Sequence, residues 1–546
     1  MTPAKRLKKR RALTPGVPAL AAAVCLLIAS CVSPGPRPAG PHSTVEALPS
    51  APLQQTDPAP SGGSETADSP GGPLEITVEK AIVVALQNNR ALKVESFNPA
   101  IVQTAEEEAR AAFDPSFSAT YARSREKIES DSPLIEDGKT KEALGSLGIS
   151  GRLPTGTDID IALSAKRTWS ELYSDDLHES RVGLSVTQAL LRGAGLGYNL
   201  AQLRQARLDT AVSRYELRGF TEALVALVEE TYWDYALMQR QIEIYLESLR
   251  LAQQQKNEVE EMIRIGYLAE SELAAAEAEI ALRREGLINA RSSMEKTRLR
   301  LLSLLNPPDE GLWDRRVKLL RQPAMPEATL DDVHAHVEVA LKMRSDLNQA
   351  RLQVQRGDLQ IVRTKNGLLP RMDLFITLGK TGYADSFGRS WKDLDGDSYD
   401  AGVGLSLALP LMNRQARAEH RRALIARDQA EEALRNIAQL VQVDVRSAYI
   451  EVTRAHEQVA ATAATRALQE EKARIEHEKF RVGKSTSLLV AQAQRDLLSS
   501  RISETQAITN YLKSLIDLYR LEGSLLERRG VAVDGTCGGL MTGESR

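Results

Sequence analysis

The residue types that usually carry catalysis occur in this 546-residue chain, but not in catalytic arrangements. His334 and His336 lie two apart near the start of a helical stretch, so they do not share a helix face. His42 sits in a Pro/Gly/Ser-rich segment, and the other histidines are scattered along polar helical text. No GxSxG, HExxH or GxxxxGK[ST] spacing occurs, and Gly193-Ala194-Gly195-Leu196-Gly197 reads as a flexible exit from a strand, not as a phosphate cradle. The expectation is a non-enzyme with no cofactor and no metal. Of Cys25, Cys31 and Cys537, none has a partner at disulfide-framework or zinc-ligand spacing. One thiol, Cys31, stands where chemistry is expected.

Lys5, Arg6, Lys8, Lys9, Arg10 and Arg11 form a basic run with no acid near it, followed by an apolar stretch from Val17 to Ser30 broken only by Pro18. That stretch is short for a bilayer span and right for the core of a signal peptide. It ends in Leu27-Ile28-Ala29-Ser30-Cys31, which resembles a bacterial lipobox. The resemblance implies that the Cys31 thiol is the nucleophile that takes the lipid. Small Ala29 and Ser30 would admit the peptidase, residues 1–30 would be removed, and Cys31 would become the first residue. Val32, where an Asp would imply inner-membrane retention, points to outer-membrane sorting. Residues 31–74 are rich in Pro, Gly and Ser and nearly free of large apolar groups, so they read as a lipid-anchored, disordered tether.

The formal net charge is −3, and loss of the six basic residues of the signal takes it to −9. An acidic mature chain does not favour binding to a phosphate backbone, so nucleic acid is not an expected partner. Beyond the signal no apolar run is long enough for a transmembrane helix, so a membrane crossing would have to be a β-barrel.

The elements that would position any site come in duplicate. At an offset of 255, Ala85-Leu86 matches Ala340-Leu341, Leu92 matches Leu347 and Pro115 matches Pro370. At 221, Gly183-Leu184-Ser185 matches Gly404-Leu405-Ser406; at 217, Tyr232, Arg264, Gly266 and Leu301 match Tyr449, Arg481, Gly483 and Leu518. Matches at three consistent offsets indicate a tandem repeat, each half reading helix, strands, very long helix, turn, helix. The fall in offset places about 34 extra residues among the strands of the first half. Val225, Val228, Tyr232, Tyr235, Ile242, Leu246 and Leu249, with Gln239 occupying one seam position, recur at spacings of three and four, a narrow coiled-coil seam on a helix expected over 199–265. Helices are also expected at 78–112, 267–305, 330–367, 414–482 and 485–526, the two longest spanning about 100 Å at 1.5 Å per residue. Val403, Leu405, Leu407 and Leu409 alternate with small or polar residues, as do Val182, Leu184, Val186 and Ile159, Ile161, Leu163. Such strands fit either an outer-membrane barrel or a half-buried sheet.

Long helices paired with stacked shorter ones, with strands inside each half, resemble the TolC family of outer-membrane efflux proteins over residues 75–526. Phe113-Asp114-Pro115 and Leu368-Leu369-Pro370 stand before the first strand of each half. Leu184-Ser185-Val186-Thr187-Gln188-Ala189-Leu190-Leu191-Arg192-Gly193 and Leu405-Ser406-Leu407-Ala408-Leu409-Pro410-Leu411 resemble the family's strand-to-helix exits, with Ala189 where a proline is common. The implied fold class is mainly α with a transmembrane β-barrel: a TolC-like trimeric barrel above a long α-helical periplasmic barrel, with two tandem structural repeats per chain. The repeats would span 75–310, with strands within 116–190, and 330–526, with strands within 372–410. A linker at 311–329 and a flexible tail at 527–546 complete the chain. The family default is four strands per chain and twelve per trimer. The additional hairpin, Leu147–Leu153 and Thr157–Ala165 about Pro154-Thr155-Gly156, could join the barrel or project beyond it.

The resemblance further implies a homotrimer, anchored by lipid in the outer membrane of a Gram-negative-type bacterium, working with a periplasmic adaptor and an inner-membrane pump. The function implied is a passive duct for efflux of small molecules, drugs or metal ions. The alternatives are the exit duct of a type I protein-secretion system, or a lipid-anchored coiled-coil scaffold without a pore. Arg264, Gly266 and Tyr267, with Arg481, Gly483 and Lys484, mark the helix tips that would contact the adaptor; the glycines are equally explained as helix stops. Leu489 and Gln492 fall where relatives carry an acidic ring, and are the candidate pore constriction; Leu489 could equally pack between helices.

Overall fold

The computed structural model describes residues 74–128, 138–170, 176–307, 312–325, 330–533 and 540–542; the signal, Cys31, nearly all of the tether and Cys537 fall outside them. The first half runs β1 (Leu74–Ile76), α1 (Val78–Asn88), α2 (Arg90–Glu95), α3 (Asn98–Ala111), β2 (Ser116–Ile128), β3 (Gly138–Leu153), β4 (Thr157–Ser170), β5 (Leu177–Ala189), α4 (Leu196–Asn199), α5 (Ala201–Arg264) and α6 (Ser271–Leu305). The second half follows as β6 (Val317–Leu319), α7 (Val333–Met343), α8 (Ser345–Gly367), β7 (Arg371–Ala384), α9 (Phe387–Lys392), β8 (Tyr399–Ala408), α10 (Arg414–Arg481) and α11 (Ser487–Leu521). α12 (Leu525–Arg528), β9 (Val531–Val533) and β10 (Leu540–Thr542) come last.

α5 and α10 contain 64 and 68 residues, about 96 and 102 Å of helix. The shorter helices that run beside them are broken, and broken alike. Asn89 (φ −60, ψ 122) separates α1 from α2, and Arg344 (φ −59, ψ 126) separates α7 from α8, 255 positions later. The expected single helices 78–112 and 330–367 are therefore each segmented. An extended residue frees backbone groups that must find partners. The Asn89 side chain takes up one by accepting from the Leu92 N–H at 3.0 Å, and it also donates to the Leu304 carbonyl at 2.9 Å. The far ends also correspond: Asn306 (φ 41) ends α6 and Gly523 (φ 73) follows α11, 217 positions later.

The main core lies at the level of these breaks. Leu217, Leu224, Val225, Val228 and Tyr232 of α5 pack with Ile82 and Leu86 of α1, Leu301, Leu302 and Leu305 of α6, and Leu525 and Leu526. Tyr232 and Tyr235 reach a parallel ribbon of β1 and β6, their hydroxyls donating to the Ile76 and Val317 carbonyls at 3.3 and 3.1 Å. The expected linker 311–329 thus contributes a strand to the core. The seam drifts beyond Gln239: Ile244 is buried while Leu246 is 44% exposed. A straight helix with 3.6 residues per turn cannot keep one narrow stripe against the same neighbour over 64 residues. The tail expected to be flexible from 527 begins packed, with Val531 buried and Arg529 donating to the fully buried Glu229 at 2.6 and 2.7 Å.

Six of the strands form one antiparallel sheet in the order β2-β3-β4-β5-β7-β8. The additional hairpin lies inside this sheet: β3 and β4 pair from Thr140↔Ser170 to Leu153↔Thr157, turned at Gly156 (φ 87). The four-strand default is therefore corrected to six. In-register pairing needs a matching apolar face on both sides, and the inserted strands carry one. Phe117, Ile149, Ile161 and Leu184 are successive cross-strand partners, and Leu184, Leu378 and Ala401 continue the row. The exit at Gly193–Gly197, expected to be flexible, is pinned: the Gly193 N–H donates to Asn366 Oδ1 at 2.8 Å, and Asn199 Nδ2 donates to the Gly193 carbonyl at 2.8 Å.

Candidate functional site: sheet faces and helix tips

Two regions of the molecule carry organised chemistry, one at each end of the long helices. At the sheet end, strand parity separates charge. Val182, Leu184 and Val186, Leu374, Ile376 and Leu378, and Val403, Leu405 and Leu407 share one face with Ile159, Ile161 and Leu163. Every carboxylate of the six strands is on the opposite face, from Glu126 and Glu142 through Asp158, Asp160 and Glu179 to Asp373 and Asp400. On that polar face Arg181 reaches across Gly379 to Asp400 at 2.7 Å, and the missing Gly379 side chain makes the crossing possible. One face therefore suits lipid and the other suits water. Among the described residues the sheet is open at both ends, since neither β2 nor β8 has a neighbour on its outer edge.

At the far end both long helices stop in the same way. The Gly266 N–H donates to the Ile263 carbonyl at 2.9 Å and the Tyr267 N–H to the Met262 carbonyl at 2.8 Å. Gly483 and Lys484 repeat this on the Phe480 and Lys479 carbonyls at 3.0 and 2.8 Å. This pair of bonds needs a left-handed residue, and Gly266 and Gly483 have φ of 78 and 70. The tips then pack on one another. Val259, Phe480 and Val490 form a buried cluster with Met262, Ile263 and Leu268 around it, and the Ser487 hydroxyl donates to Glu272. The Tyr267 hydroxyl lies directly over Gly483, a contact that sequence reading missed because Tyr267 and Lys484 occupy equivalent places with unlike side chains. Arg264 and Arg481 point outward and pair only with acids of their own helix, Glu261 and Glu478. The Arg264 guanidinium holds the Glu261 carboxyl below its ordinary range.

Just past the second tip, Leu489 and Gln492 are exposed while Val490, Ala491 and Ala493 are buried. Leu489 and Gln492 begin a stripe on α11 that continues through Asp496, Ser499 and Ser503 at helical spacing. Asp496, one turn beyond Gln492, is the nearest acid in that stripe, and Lys472 donates to it at 2.8 Å. The i+4 step from Gln492 was the sequence signal for it. The two histidines read as unrelated part company: the His336 ring is buried, its Nδ1 2.5 Å from Glu522 Oε2, while the His334 N–H donates to Asp332. Among the described residues no group of histidine, cysteine and acidic side chains has the geometry of a metal site, and no helix is long and apolar enough to cross a membrane.

Helices of about 100 Å, joined to an antiparallel sheet with one apolar and one polar face, define the TolC-like class of outer-membrane channel folds. Residues 337–524 match the family described as outer membrane efflux protein. Solved structures extend the likeness over most of the chain. The CmeC outer membrane channel of Campylobacter jejuni shares 15% identity over 82% of this chain and 86% of its own, with a TM-score of 0.61. The outer membrane protein VceC from Vibrio cholerae shares 14% over 82% and 96%, also with a TM-score of 0.61. The MtrE channel of Neisseria gonorrhoeae, solved in its open state, shares 19% over 82% and 89%, with a TM-score of 0.57. At these identities the likeness is one of fold. No curated protein matches the sequence.

Proposed function

We propose that three copies of this chain close edge to edge, β8 of one on β2 of the next, into a lipid-anchored outer-membrane duct that passes small molecules, drugs or metal ions outward. The observation that carries this reading is the six-stranded sheet with an apolar face, an acid-bearing face and two open, unlike edges. Unlike edges make a heterologous contact that ends only by ring closure, and closure removes the unpaired backbone groups that lipid cannot satisfy. Six strands per chain give a barrel of about eighteen in the trimer, a size at which barrels enclose water. With no energy source of its own, the duct works with an inner-membrane pump and a periplasmic adaptor. The tips at Arg264–Tyr267 and Arg481–Lys484 are the adaptor-contacting surface, and Leu489 and Gln492 constrict the resting mouth.

The test is mass determination in mild detergent followed by single-channel recording. Three copies per particle are expected, with Leu489→Ala and Gln492→Ala raising resting conductance and Gln492→Asp raising cation preference. A water-soluble monomer that keeps its long helices would favour the poreless scaffold. A trimer indifferent to all three substitutions would place the gate elsewhere.

A further inference from the structure

The apolar face of the sheet changes character toward the end away from the helices. Two rows of cross-strand partners there read Arg123–Ala143–Arg167 and Arg125–Lys141–Trp169. Strands lie about 4.8 Å apart and same-face neighbours about 7 Å, so the four cations share one small patch. Arg167 is balanced by Asp176 at 2.9 Å, and Lys141 Nζ stands 4.1 Å over the Trp169 ring. Arg123 and Arg125 are exposed and have no ion-pair partner among the described residues. No carboxylate of the six strands is on this face to neutralise them.

Directly beside the cations the wall turns small and greasy. The next row inward is Tyr121–Gly145–Ala165–Ser180, followed by Ala119–Leu147–Leu163–Val182. Over the same face lies α9, seated where a Cβ on Gly382 would overlap the Ser390 carbonyl and where the Ser180 and Ser390 hydroxyls meet at 2.7 Å. Phe387 and Trp391 of α9 close an apolar groove of 610 Å³ over Tyr121, Gly145, Leu163 and Ala165, within the roughly 300–1,000 Å³ of small-ligand pockets. A short helix laid on the lipid-facing side of a barrel costs burial of its own polar groups, and here it leaves Phe387 and Trp391 about half exposed beside a cavity.

We propose that this groove and patch bind one phosphorylated lipid of the outer leaflet, its acyl chain under Phe387 and Trp391 and its phosphate on Arg123, Arg125 and Lys141. The inference rests on the barrel reading above, which turns this face toward lipid. Charge complementarity selects the occupant: guanidinium pairs prefer phosphate oxygens, and each cation near a headgroup layer favours an anionic lipid about fivefold. A zwitterionic lipid would fill the groove but leave the cations without net compensation.

Trp391 reports the site. In detergent-purified protein with Trp169, Trp233 and Trp313 changed to Phe, brominated phosphatidylglycerol is expected to quench Trp391 at a concentration about tenfold lower than brominated phosphatidylcholine. Arg123→Gln/Arg125→Gln/Lys141→Gln should abolish the preference, and Gly145→Leu should abolish quenching by both lipids. Excess inorganic phosphate should not displace the lipid, since it offers no acyl chain; displacement would mean an anion site alone. A trimer that shows no headgroup preference overturns the lipid site and leaves the duct standing. A water-soluble monomer in the same preparation overturns the barrel reading and the site with it.

Discussion

Gly483→Ala is the sharpest perturbation of the tips, because Gly266 supplies its own control. Both glycines hold a left-handed φ, and an alanine there costs roughly 1 kcal/mol. At Gly266 a new Cβ meets nothing within 4 Å, so backbone strain is the whole cost. At Gly483 the Cβ would fall inside the Tyr267 hydroxyl, 3.1 Å from its Cζ, and the ring must swing away. Tyr267 is 62% exposed, so roughly 80 Å² of a side chain of about 200 Å² is covered, worth about 2 kcal/mol if all of it were lost. A swing that loses about half brings Gly483→Ala to about 2 kcal/mol against about 1 for Gly266→Ala. Hydrogen exchange of the closing amides, Lys484 and Tyr267, reads local opening. Expected accelerations are about fivefold for Gly266→Ala and about thirtyfold for Gly483→Ala. In a Tyr267→Ala background the two should converge near fivefold. Equal acceleration of the two single variants in the parent would refute the tip-to-tip contact.

Further outcomes follow from the buried carboxylates of α5 and from the N-terminus. Burial pushes Glu222 up to about 7 despite Arg218 at 3.4 Å; a raised carboxyl pKa means the folded state keeps a proton the unfolded chain releases, so stability is full below about 4.5 and falls as pH rises toward 7. Glu222→Gln should therefore stabilise the fold at pH 8 by no more than about 3 kcal/mol, read as a higher melting temperature, with the gain vanishing toward pH 4.5; a gain that is flat with pH would refute it. Arg529→Ala strands the fully buried Glu229 and should cost about 3 kcal/mol in urea unfolding, whereas Glu229→Leu/Arg529→Leu should cost less. Cys31→Ser should abolish labelling by fatty acid and slow signal removal; equal labelling of mutant and parent would sink the anchor.

Helix existence, helix length and the duplication were legible along the chain because they are local or periodic. A seam at three and four spacing is visible without a partner, and Gly266 and Gly483 announce their turns because only glycine takes a left-handed φ cheaply. The breaks at Asn89 and Arg344 were not legible. Neither residue is a proline or glycine, and although Asn89 caps the Leu92 N–H locally, it is also held by a contact far away in sequence, at Leu304. Alternation showed that Ile159, Ile161 and Leu163 share a face, but it could not say whether their hairpin entered the sheet. Pairing register with β2 and β5 decided that, because it joins residues up to 34 positions apart. The same parity held the segregation of carboxylates in plain sight; it acquires meaning only once six strands are in register. Sequence alone thus determined the kinds of elements and their repetition. Which edges remain open, which tips touch and where the cations gather belonged to the tertiary structure, since each depends on packing between segments that local propensity does not link.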